Sequence, residues 1–101
     1  MRIINESVQM VHIGPNTPLT PVAIQYALQR ASSNKMYAKF YTDKYFIQVN
    51  FMKDNTINVS SNIKAPQFVN SLVRYTQQGW TMATVNQFVY LWMQTNRRSL
   101  S

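Results

Sequence analysis

The sequence predicts a small α+β domain: a small antiparallel sheet, made of a three-stranded meander plus an N-terminal strand, with three helices in the order β-α-β-β-β-α-α. Three observations lead to it. Apolar and polar residues alternate through residues 35–61, interrupted by turn residues, as half-buried strands require. Helical spacing of apolar positions follows each of Thr20, Pro66 and Thr81. A chain of 101 residues fits one domain, assigned to 1–96, with 97–101 as a basic polar tail.

The elements follow in order. Ile3, Ile4, Val8, Met10, Val11 and Ile13 suggest a first strand in the later half of 3–13, broken by Gly14-Pro15. Thr20-Pro21 is a helix start, because Thr can cap free amides and Pro needs no donor in the first turn. Ile24, Ala27, Leu28 and Ala31 give that helix a single apolar stripe, and Ser32-Ser33-Asn34 ends it.

A two-residue turn at Asp43-Lys44 pairs Phe40 with Ile47, Ala38 with Val49 and Met36 with Phe51 on one face. A three-residue turn, Asp54-Asn55-Thr56, keeps Ile57 and Val59 on that same face. Pro66 opens a second helix buried through Phe68, Val69, Leu72 and Val73, with Gly79 at its C-terminal end. Thr81 caps a third, with Met82, Val85, Phe88, Val89, Trp92 and Met93 inward. Trp80, between the two helices, is a packing plug or an exposed anchor.

Helices on one face of the sheet leave the other face open. That face displays Lys35, Tyr37, Lys39, Tyr41, Phe46, Gln48, Asn50, Met52, Asn58 and Ser60. Rings, cations and amides in alternation are the chemistry of single-stranded nucleic-acid binding: bases stack, phosphates are neutralised, base edges are read. Packing beneath a helix and an oligomer interface are the competing expectations for the same rings. Arg97 and Arg98, the one adjacent basic pair, join the candidate nucleic-acid site and also suit the negative end of the third helix.

Composition points the same way. Lys and Arg number 10 against 3 acids (Glu6, Asp43 and Asp54), for a net charge of +7. Only 13% of residues are charged, so the positive field is weakly cancelled and favours anionic partners. Cysteine is absent, which excludes disulfides and thiolate metal sites. The N-terminus lacks the apolar run of a signal peptide, and no stretch is long and apolar enough for a membrane span, so a cytoplasmic protein is expected.

Enzymatic chemistry is not expected. The acids form no convincing acid/base pair, and Asp43 and Asp54 are turn residues. His12 is the single histidine, so no catalytic or metal constellation is expected, and no cofactor motif appears.

From Thr20 to about Gln78 the order helix, three strands, helix resembles the double-stranded-RNA-binding domain in topology. That family's lysine cluster at the start of its last helix has no counterpart here, where Lys64 precedes Ala65-Pro66. The flanking strand and the third helix are additional.

The expected function is a small basic non-enzymatic protein binding nucleic acid, single-stranded by preference. The alternatives are a protein-interaction module that docks on an acidic protein, such as an accessory or inhibitor protein of a virus or mobile element, and a homo-oligomer that binds a phosphorylated small ligand.

Overall fold

A computed structural model describes residues 8–99 of the chain, with side chains through residue 95. The elements are β1 (Gln9–His12), α1 (Pro21–Ser33), β2 (Tyr37–Tyr41), β3 (Phe46–Phe51), β4 (Ile57–Ser61), α2 (Pro66–Gln78) and α3 (Met82–Ser99). The apolar residues expected at 3 and 4 lie outside the described residues.

The four strands form one sheet in the order β1-β2-β3-β4. It is mixed rather than wholly antiparallel, because β1 runs parallel to β2. A helix between two neighbouring strands carries the chain back to the starting edge, so the second strand repeats the direction of the first. From β2 to β4 the meander is antiparallel, with Phe40 opposite Ile47, Ala38 opposite Val49, and Tyr41 opposite Phe46.

Local chemistry explains the start of α1 and the ends of α1 and α2. The Thr20 hydroxyl accepts from the Ala23 amide at 3.1 Å, and Pro21 follows. At the C-terminus of α1, Met36 N donates to Ala31 O and Lys35 N to Ser32 O. This is a Schellman ending, which requires a left-handed residue at position 35. Lys35 takes it, with φ +55°. α2 ends at Gly79 with φ +91°, a backbone conformation that glycine adopts without steric penalty.

In the third helix Thr81 and Thr84 exchange bonds reciprocally, each hydroxyl accepting from the other's amide at 3.1 and 2.9 Å. Thr84 thereby takes the part that Glu or Gln plays in a capping box.

All three helices lie against the same side of the sheet. Ala38, Phe40, Ile47, Val49 and Phe51 are buried beneath them with Ile24, Leu28, Phe68, Val85, Val89 and Met93. α2 departs from expectation. Phe68 is fully buried against Phe88 and Trp92, but Val69 and Val73 stand 39% and 49% exposed, and Leu72 is only half-buried. α2 packs at the β4 edge of the sheet, so it meets core along a narrow strip and its second apolar row faces outward.

The β3–β4 turn also differs. It has three residues, but they are Lys53-Asp54-Asn55: Met52 N donates to Thr56 O, and Phe51 pairs with Ile57. The register therefore moves by two residues from the expected one. Two is the pleat period, so Ile57 and Val59 still face the helices. Asn55 holds the left-handed position, φ +71°, and Asp54 Oδ1 accepts from the amide and hydroxyl of Thr56 at 3.1 and 2.6 Å.

α3 runs through Ser99, so Arg97 and Arg98 lie in its last turn. Their side chains fall outside the described residues. Among the described residues no helix is long and apolar enough to cross a membrane.

Candidate nucleic-acid interface

The side of the sheet away from the helices is built by strand parity. Tyr37, Lys39 and Tyr41 come from β2, Phe46, Gln48 and Asn50 from β3, and Asn58 and Ser60 from β4. None is fully buried: the β2 and β3 residues are half-buried and the β4 residues exposed.

Register sorts these side chains into rows across the strands. The first row is His12, Tyr41 and Phe46, the second Met10, Lys39, Gln48 and Ser60, and the third Tyr37, Asn50 and Asn58. A ring therefore stands at each end of β2, about 13 Å apart at strand spacing, with a cation between them. Lys39 Nζ lies 4.7 Å from the centroid of the Phe46 ring, one row away. That contact holds the ammonium over the face. Gln48 Nε2 donates to Asn50 Oδ1 at 2.9 Å, leaving the Asn50 NH₂ and the Gln48 carbonyl oxygen toward the face.

The first row is held by the β2–β3 hairpin. Thr42 is buried, and its hydroxyl accepts from Lys44 N at 3.3 Å and Tyr45 N at 3.1 Å. Asn62 closes the other side, where β4 has already turned away. Its Oδ1 accepts from Phe46 N at 2.9 Å and its Nδ2 donates to Lys44 O at 2.8 Å. Ser61 Oγ adds a bond to Phe46 O at 2.5 Å. The Phe46 backbone is thus fixed by side chains where strand pairing has run out.

Met10 and His12 also belong to this face, a placement that the sequence does not lead one to expect. His12 packs edge-on against Tyr41, centroids 5.2 Å apart, and its Nε2 lies 3.6 Å from Asp43 Oδ1. Their membership follows from the parallel register of β1, which a chain with a helix between the two strands does not reveal.

Lys35 and Met52 are displaced from the expected strand positions. Both stand at the far end of the face, by the α1–β2 junction and the β3–β4 hairpin. Lys35 Nζ donates to Asn55 Oδ1 at 2.6 Å. Lys53 occupies the same end and Lys44 the opposite one, each in a hairpin turn.

Among the described residues Asp54 is the one group whose acidity is clearly shifted. Its carboxyl is held below the ordinary carboxylate value, first by the Thr56 hydroxyl and then by the Thr56 amide, so it stays ionised as part of the turn. Among the described residues no three His, Cys, Asp or Glu side chains gather where they could hold a metal ion.

No protein-family model matches the chain, and no curated protein or solved structure matches it.

Proposed function

We propose that this chain is a non-enzymatic nucleic-acid-binding protein that holds a single strand against the open face of its sheet. The arrangement that carries the reading is Lys39 set between Tyr37, Tyr41 and Phe46, with the amides of Gln48 and Asn50 beside them, on the face that none of the three helices covers. Partly exposed rings can receive bases, at about 1–3 kcal/mol for each base stacked. Lys39, Lys44 and Lys53 supply phosphate contacts along and beyond the strands. The net charge of +7 draws a polyanion from any direction. A single strand suits the face better than a duplex, because paired bases offer no free ring faces to the tyrosines.

The test is fluorescence anisotropy of a labelled single-stranded oligonucleotide titrated with the protein at several salt concentrations. Binding should weaken linearly on logarithmic axes as salt rises. Tyr37→Ala and Phe46→Ala should each weaken it roughly tenfold, the equivalent of one lost stack, while the fold is retained. Affinity unchanged in both variants would remove these rings from the site.

A further inference from the structure

At one end of the open face the α1–β2 junction and the β3–β4 hairpin flank a shallow, open cleft of about 590 Å³. Lys35, Tyr37, Asn50, Met52 and Lys53 are among the residues that line it. Among the described residues only Lys35 and Asn55 combine a side chain with positive φ, and they meet here through the 2.6 Å bond from Lys35 Nζ to Asn55 Oδ1.

Asn is a natural occupant of a left-handed position, and Lys is not. The Schellman ending of α1 asks for Gly or Asn at residue 35. A lysine there gives up backbone comfort and sets an ammonium at the mouth of the cleft. Its bond to Asn55 uses one of three donors and leaves two for an anion.

Lys53 provides a second cation from the facing hairpin. Tyr37, half-buried, and Met52, 46% exposed, line the same cleft, a flat ring and a polarisable thioether of the kind that holds a base. Asp54 also lines the cleft with its charge intact, its Oδ1 held by Thr56, so two lysines face one carboxylate there.

We propose that this cleft is a nucleotide subsite, with the phosphate between Lys35 and Lys53 and the base against Tyr37 and Met52. Asn50, one row in from the cleft mouth, presents its amide to the base edge. The proposal rests on the sheet-face reading in taking the nucleotide as one unit of a bound strand. A free nucleotide offers the same chemistry.

Titration of isotope-labelled protein with adenosine monophosphate, followed by NMR, locates the site. Shifts should concentrate at Lys35, Tyr37, Met52 and Lys53. Lys35→Gly should keep or raise the melting temperature, because glycine suits the backbone there, and yet weaken nucleotide binding several-fold. Lys53→Gln should weaken it likewise, which covers the case of a poorly folded Lys35→Gly. Shifts elsewhere, or wild-type binding by both variants, would overturn the proposal.

A labelled oligonucleotide separates the two sources. Losses from both Lys35→Gly and Phe46→Ala identify the ligand as part of a strand. If Lys35→Gly weakens mononucleotide binding and both Tyr37→Ala and Phe46→Ala leave the oligonucleotide unaffected, the cleft stands with a free nucleotide and the sheet-face reading falls. If Phe46→Ala weakens the oligonucleotide but neither lysine variant does, the cleft falls and the sheet face stands.

Discussion

Thr42 shows how much a single hydroxyl can decide. At the β2–β3 hairpin it accepts from the Lys44 and Tyr45 amides, and it does so from a buried position. Thr42→Val keeps the shape and leaves both amides without that acceptor, a loss of about 1–3 kcal/mol. Thr42→Ser should lose much less, and urea denaturation of the two variants side by side measures the difference. Asp54 makes a different test, through pH. Its folded-state acidity is strengthened by the Thr56 hydroxyl and amide. A carboxyl with a lowered folded-state pKa binds fewer protons than the unfolded chain. Its stabilising effect is therefore complete above the ordinary carboxylate range, about pH 4, and fades as pH falls through the folded-state value. Asp54→Ala should lower the melting temperature at neutral pH and converge with the parent protein in acid. A constant gap between the two across that range would dismiss the turn carboxylate as the cause.

Elements add what single residues cannot. The faces of β2 and β3 were legible because one two-residue turn between alternating runs fixes every pair, and Phe40–Ile47 and Tyr41–Phe46 stand as the alternation requires. The β3–β4 turn was legible only in parity. Several placements of a three-residue turn keep Ile57 and Val59 on the core side, and the Asp54 bonds to Thr56 and the left-handed Asn55 choose among them. The partner and register of β1 were not legible, since the strand it pairs with lies beyond a whole helix, and with them went the place of Met10 and His12. α2 misled for a further reason. Its two apolar rows look equivalent in the sequence, and only its position at the β4 edge selects Phe68 over Val69 and Val73. Phe68 is therefore the main anchor of that helix, touching Phe88 and Trp92. Phe68→Ala should cost about 3–5 kcal/mol, whereas Val73→Ala should stay within about 1 kcal/mol. Thermal unfolding of both variants tests the contrast, and equal losses would mean that α2 is held along its whole length.

For the whole molecule the question is whether the +7 charge acts as a diffuse field or through one side. The described cations divide between the two sides. Lys39 stands on the open face with Lys44 and Lys53 in the hairpins at its ends, while Arg74 lies on α2, stacked over Tyr75 on the helical side. Each phosphate contact contributes about 0.7 to the slope of log affinity against log salt for a single strand. A cation that only adds to the general field does not change that slope by a whole contact. Lys39→Gln should therefore lower the salt slope by about 0.7 and weaken binding to every oligonucleotide alike, because a phosphate contact carries no base preference. Arg74→Gln removes the same charge from the other side and should leave the slope where it was. Anisotropy titrations of both variants across a salt series decide between the two. Equal slopes for the variants, both below that of the parent, would show attraction without a preferred face, and the rows of Tyr37, Lys39 and Phe46 would then lose their claim to be where the strand lies.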